Sequence, residues 1–250
     1  MPSTILFESK NHRNILLEDF GHGQAVQANQ HLVIHAGAGL ILDPGGHKVF
    51  SRAMSETNAL LGTGQLRYVF FSHQDPDIIA AANGWLMTTN AVAYISALWV
   101  RFVPHFGLDQ LVANRLRAIP DQGMRLDMED CRFTFLPAHF LHSPGNFQVY
   151  DPVSRILYSG DLGASLGTDY IEVPDFDEHI KYMEGFHRRY MASGKAMRSW
   201  ARMVRSLDIE LIAPQHGAFF RGKAMVSRFV DWCDGLECGV DVMTDFAVPA

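Results

Sequence analysis

The sequence predicts a four-layer α/β sandwich in which two mixed sheets pack face to face with helices outside. Two runs of strand-like segments, each followed by helical ones, predict the two sheets. The segment Leu66–Phe71 is a nearly continuous apolar run, the signature of a strand covered on both faces. No repeat, low-complexity tract or linker divides the 250 residues, so one domain over residues 1–250 is expected. A hydrophobic share of 48% is enough to fill a core of that size.

Taken in order, Ile5–Phe7 and Asn14–Leu17 read as short strands around polar turns, and Gly21-His22-Gly23 marks a bend. His31–His35 and Leu40–Leu42 flank Ala36-Gly37-Ala38-Gly39 as a hairpin, ended abruptly by Asp43-Pro44-Gly45-Gly46. Val49–Leu60 places Val49, Phe50, Ala53 and Met54 on one side of a helix. After the Leu66–Phe71 strand, Ile78–Thr88 reads as a helix and Val92–Ile95 as a strand. Asp121-Gln122-Gly123 is a turn, Cys131–Leu136 alternates as a strand, and Asn146–Tyr150 with Ile156–Tyr158 forms a hairpin around Asp151-Pro152. Helical signals run from Asp177 to Leu207 with an interruption at Ser193-Gly194. A last strand, Ile209–Ile212, and a last helix, Met225–Trp232, follow.

A net charge of −6 argues against a nucleic-acid partner, because phosphate binding needs clustered Lys and Arg. The basic residues between Lys181 and Arg205 alternate with Glu184, Phe186 and Trp200 and read as a helical surface. Three cysteines, Cys131, Cys233 and Cys238, are too few for a disulfide framework, which suits a reducing cytoplasm. No basic start precedes an apolar core in residues 1–10, so no signal peptide is expected. The most apolar stretch, Ala91–Val103, is broken by Arg101 and is too short to span a bilayer, so no membrane association is expected.

The chemistry concentrates in turns that follow strands. His73-Gln74-Asp75-Pro76-Asp77 follows Leu66–Phe71, placing one imidazole and two carboxylates at spacings of two at the carboxyl end of a strand. His142 opens Ser143-Pro144-Gly145, Asp161 follows Ser159-Gly160, and His216 stands in Pro214-Gln215-His216-Gly217. Each turn has Gly beside or near the candidate ligand, which permits close approach of backbone to a bound group. Imidazole with carboxylate suits iron, zinc or manganese and needs no cysteine. With Asp161 bridging, His73, Asp75, His142 and Asp161 supply one metal, and Asp77, Asp161 and His216 a second. Taken singly these residues have plainer readings: Asp75 before Pro76 also suits a helix N-cap, Asp161 a turn carboxylate and His216 a core histidine.

Together, the four motifs resemble the metallo-β-lactamase superfold, and within it the flavodiiron proteins and oxygen-binding diiron proteins. The resemblance runs from Asp43-Pro44-Gly45 to Pro214-Gln215-His216-Gly217 and implies a metallo-β-lactamase-like αββα sandwich. It also implies a non-haem diiron centre with an oxo or hydroxo bridge, on the ligand sets just named. Two departures bear on function. Zinc hydrolases of this superfold usually carry His where Asp75 stands, so the oxygen ligand tilts the choice toward iron. Both branches usually place His where Ile78 stands, so the second metal is left with an open position for O2, NO or water. Flavodiiron proteins continue into a flavodoxin-like domain, whereas the 34 residues after His216 are too few for one. No flavin is therefore expected on this chain.

Around the centre, the Leu141-His142-Ser143-Pro144 match favours His142 as ligand over His139, which stands three residues before it. The resemblance suggests His22 and Tyr190 as further pocket residues, Tyr190 through its phenol. The expected function is an O2-binding, and by extension NO-binding, sensor or carrier with a redox or signalling protein as partner. The alternatives are an O2 or NO reductase with an external electron donor, or a dinuclear hydrolase of esters, thioesters or lactones. A homodimer is possible by analogy with flavodiiron relatives.

Overall fold

The computed structural model describes residues 3–17 and 26–249, so candidate residue His22 lies outside the described residues. The first sheet has seven strands: β1 (Thr4–Glu8), β2 (His12–Leu17), β3 (Gln30–His35), β4 (Ala38–Leu42), β5 (Gln65–Phe70), β6 (Val92–Ser96) and β7 (Leu116–Ile119). They lie side by side in chain order. Pairing is antiparallel from β1 to β4 and parallel from β4 to β7. The second sheet follows with β8 (Met124–Met128), β9 (Cys131–Pro137), β10 (Phe147–Asp151), β11 (Ile156–Gly160), β12 (Leu211–Pro214) and β13 (Phe220–Arg221). Here only β11 and β12 run parallel.

Helices α1 (Phe50–Leu61), α2 (Pro76–Ile79), α3 (Ala82–Thr88) and α4 (Gln110–Ala113) belong to the first half of the chain. Helices α5 (Phe176–Tyr190), α6 (Gly194–Val204) and α7 (Lys223–Gly235) belong to the second. The side-chain period of two builds the layers. Along β4, Leu40 and Leu42 point between the sheets while Ile41 points to the outer core of α1 and α3. Along β12, Leu211 and Ala213 point inward while Ile212 packs in the core under α5, α6 and α7. Phe70, Phe133, Phe135 and Phe147 fill the space between the sheets, each burying on the order of 1.5–3 kcal/mol of transfer free energy. The four-layer sandwich is therefore the observed fold.

The β3–β4 hairpin closes through Ala36 and Gly37, both at positive φ, the two-residue turn that suits strand twist. Ala38 and Gly39 thus belong to β4 and not to the turn. Asp175 caps α5 by accepting from the Glu178 amide, and Ser193 caps α6 by accepting from Ala196, which explains the helical interruption near Ser193-Gly194. Two expectations need correction. The apolar spacing over Ile78–Thr88 predicts one helix, but the backbone turns at Ala80–Ala81, where Ala81 has ψ 10°, and makes α2 and α3. Strands β7, β8 and β13 were not expected, because their exposed polar positions and short lengths weaken the apolar pattern.

One polar network is buried between the sheets. His12 Nε2 donates to Asp151 Oδ2 at 2.7 Å, and both side chains are fully buried. Asn14 and Ser154 also donate to that carboxylate. Burial alone would raise the Asp151 carboxyl, but the bonds from His12, Asn14 and Ser154 outweigh it and hold the group below its ordinary range. All three cysteines are buried free thiols, and burial pushes Cys131 up to about 12. Among the described residues no helix is long and apolar enough to cross a membrane.

Candidate metal centre

The centre lies at the carboxyl ends of β5, β9, β11 and β12, where the chain leaves each strand in a tight turn. Strand β5 ends at Phe70, and His73 follows with 1% of its surface exposed. Asp75 occupies the N-cap position of α2, ahead of Pro76. Its side chain makes no capping bond. Instead Asp75 Oδ2 lies 3.0 Å from His142 Nε2 and 3.6 Å from His73 Nε2, so the carboxylate faces the cluster. His142 stands in the loop between β9 and β10 at φ +70°, with Phe140 at φ +66°. Two non-glycine residues in this costly region within three positions mark a loop shaped around a function.

Asp161, 4% exposed, sits between the two sets of imidazoles. Its Oδ2 lies 3.8 Å from His73 Nε2 and 3.6 Å from His142 Nε2, while its Oδ1 lies 3.5 Å from His216 Nε2. His216 Nε2 is also 3.5 Å from Asp77 Oδ2. These separations exceed hydrogen-bond length. They lie at or up to 0.3 Å beyond the edges, about 3.0–3.5 Å, between donors that share a cation about 2.1 Å away.

Several features test the fit of a metal. The buried atoms His73 Nε2 and Asp161 Oδ1 have no hydrogen-bond partner, although both point into the cluster. The far nitrogens of two ligands are tied down: His216 Nδ1 donates to the Gln27 carbonyl, which leaves Nε2 a lone pair. Ser72 Oγ lies 3.0 Å from His73 Nδ1 and orients that ring in the same way. Burial opposes charge on His73, but Asp161 and Asp75, with Asp43 behind them, outweigh it and raise the imidazole to about 9. Burial would raise Asp75, yet His142 and His73 hold it well below the carboxylate range. Asp43, which accepts from the Ser72 amide at 2.7 Å, is pushed up to about 6 by burial. Carboxylates this concentrated, with imidazole lone pairs aimed among them, fit divalent cations.

The structure thus brings together His73, Asp75, His142 and Asp161, and beside them Asp77 and His216. His139 stands apart: its Nε2 bonds the Asp121 carbonyl at 2.8 Å and its ring packs edge-on against Phe147. Tyr190 is half exposed, and its ring lies 5.5 Å from that of His142 and stacks on Phe186. Ile78 is fully buried in the core with Phe71 and Trp85, and contributes no ligand atom. Gln27, Gln74, Gln215 and Ser72 were not singled out from the sequence as site residues. Gln74 and Gln215 lie inside the quoted motifs, but their bonds to Asp75 and Asp77 depend on side-chain direction.

Gly217 shows how tightly the His216 turn is built. It has φ +76°, and a Cβ there would meet Ser165 Oγ at 2.1 Å and the Ser165 carbonyl oxygen at 2.3 Å. Gly217→Ala is expected to cost about 1–3 kcal/mol, read as a lower thermal midpoint, and to weaken metal binding through His216.

A family model described as ODP family beta lactamase matches residues 26–217. The chain belongs to the ODP beta-lactamase family. A solved structure described as "Peroxy diiron species of chemotaxis sensor ODP" superposes with a TM-score of 0.85 at 42% identity, covering 95% of this chain and 97% of that one. The flavodiiron core of Flv1 from Synechocystis sp. PCC6803 superposes with a TM-score of 0.74 at 17% identity, covering 92% of this chain and 60% of that one, and shares the fold. An uncharacterized protein of Methanocaldococcus jannaschii is 22% identical over 200 residues, 77% of this chain. The chain spans about half the length of that curated relative. ODP family membership and the metallo-β-lactamase fold agree with the resemblance read from the four ligand motifs.

Proposed function

We propose that this chain binds two iron ions in the centre and takes up O2 there, as an oxygen sensor or carrier. The observation that carries this reading is the division of Asp161, whose two oxygens face different imidazole sets. His73, Asp75 and His142 would complete one metal's ligands with Asp161, and Asp77 and His216 the other's. A ferrous pair supplies the electrons and the open position that O2 binding requires. With Ile78 buried in the core, the second set has three protein ligands. A cavity of about 340 Å³, largely apolar but lined also by Gln30, His47 and Lys48, has Asp77 in its wall. The rings of Phe186 and Tyr190 lie 5.9 and 5.5 Å from that of His142. The 42% identical ODP structure, described as a peroxy diiron species of a chemotaxis sensor, supports the same reading.

Residues 1–250 form one unit in this proposal, and a redox or signalling protein is its partner. The test is anaerobic loading with ferrous iron followed by air. A new near-ultraviolet and visible absorption, with a single stoichiometric uptake of O2, is the expected result. Silent spectra with iron bound would sink the proposal. Steady gas consumption with an electron-donor protein would replace it with a reductase of O2 or NO.

A further inference from the structure

Gln74 stands between two candidate ligands, and a chain of hydrogen bonds with only one possible direction runs through it. Its Nε2 lies 2.9 Å from Asp75 Oδ1, and its Oε1 accepts from Ser143 Oγ at 2.6 Å. Ser143 Oγ in turn lies 3.2 Å from the Trp99 indole Nε1 and 3.3 Å from the Gly145 amide nitrogen. An indole N–H and a backbone N–H can only donate. Together they fill the lone pairs of the Ser143 oxygen, and Ser143 is itself 1% exposed. The one hydroxyl hydrogen is then left for Gln74 Oε1. The amide oxygen of Gln74 must face Ser143, and its NH2 must face Asp75.

The consequence falls on Asp75. Its two oxygens are divided: Oδ1 takes the Gln74 amide, while Oδ2 faces His142 and His73. Asp77 is arranged differently, because Gln215 Nε2 and His216 Nε2 approach the same oxygen, at 3.3 and 3.5 Å. We propose that Gln74, locked by Ser143 and Trp99, is a positioning residue that holds Asp75 to one-oxygen ligation of the first metal. It does so by occupying the oxygen that Asp75 would need to bind through both. Trp99 lies on the half-exposed segment after β6 and packs against Phe102. The relay therefore reaches from a metal ligand to the surface in four side chains.

The proposal rests on the ligand set given above, and the experiment separates the two. Cobalt(II) is titrated into the metal-free full chain, and its visible absorption reports coordination number through intensity. Gln74→Leu is expected to weaken cobalt binding by about 10–100-fold, the usual loss on removing a partner of a metal ligand. Its absorption is expected to fall in intensity as Asp75 takes up a second contact. Ser143→Ala keeps Gln74 but frees its amide, and a smaller change in the same direction is expected. Affinity within twofold and an unchanged spectrum in Gln74→Leu would overturn the proposal. Asp75→Ala is the companion measurement: if it too leaves cobalt binding unchanged, the ligand assignment falls along with the relay. If Asp75→Ala abolishes binding while Gln74→Leu and Ser143→Ala match the parent, the ligands stand and only the relay is wrong.

Discussion

Replacing Asp161 with Ala is expected to lower iron content after anaerobic loading from about two per chain to one or fewer, the largest single effect at this site. Among the described residues no other carboxylate pairs with both imidazole sets. Oδ2 is directed at His73 and His142, and Oδ1 at His216. Removing it strips an oxygen donor from each proposed metal at once, whereas loss of Asp77 or His142 touches only one. It also removes one of the anions that raise His73. Losing a direct ligand should cost more than the 10–100-fold typical of an outer partner. Colorimetric iron counting after desalting checks this, and a variant that retains the full complement would remove Asp161 from its bridging role. Asp161→Asn should fall between, because one oxygen is kept and the negative charge is lost.

Asp151→Ala is expected to destabilise the fold by about 3–5 kcal/mol, because each buried donor left without its acceptor costs on the order of 1–3 kcal/mol. The variant leaves His12 Nε2, fully buried, without the carboxylate it donates to, and strands the Asn14 and Ser154 donors. Against a total of roughly 5–15 kcal/mol for a typical domain, that is a large fraction. The effect should also depend on pH. The carboxyl is held below its ordinary value in the folded chain, so its contribution is present above an unfolded pKa of about 3.9 and is lost as pH falls through the lower folded value. Urea midpoints measured from neutral pH downward should therefore converge for parent and variant in strong acid. A constant gap between the two curves would show that Asp151 acts through packing alone. Strand β10 runs from Phe147 near the metal centre to Asp151 at its far end, so iron content of the folded variant should match the parent.

What the residues revealed before the fold was known follows from where information is local. His73, Asp75 and Asp77 lie within five positions of one another, directly after an apolar run, and their convergence can be read from spacing. Asp161 and His216 each follow the end of a strand beside Gly, and His142 stands in the loop after β9 ahead of Pro144 and Gly145, so position after a strand points to them. The side of Asp75 could not be read this way. A residue before Pro76 suits an N-cap equally well, and only the carboxylate's direction toward His142 decides the matter. The relay through Gln74, Ser143 and Trp99 depends on loops 69 residues and 44 residues apart in sequence, and no periodicity encodes it. The His12–Asp151 pair spans 139 residues for the same reason. Strands β7 and β8 escaped because their outward positions, among them Arg117, Arg125 and Asp127, dilute the apolar alternation.

The order of strands gives the metal centre a mechanical meaning. All seven strands of the first sheet precede all six of the second, and the chain passes between them at Pro120–Gly123. The proposed ligands divide along that seam: His73, Asp75 and Asp77 come from one half, and His142, Asp161 and His216 from the other. On that ligand set, metal loading and the alignment of the two halves would be thermodynamically linked. An ion present at a hundred times its dissociation constant adds about 2.7 kcal/mol to the folded state, and with these ligands that energy would act as a clasp between the two halves. Any event that changed how firmly such metals were held would then change the grip of one half of the chain on the other.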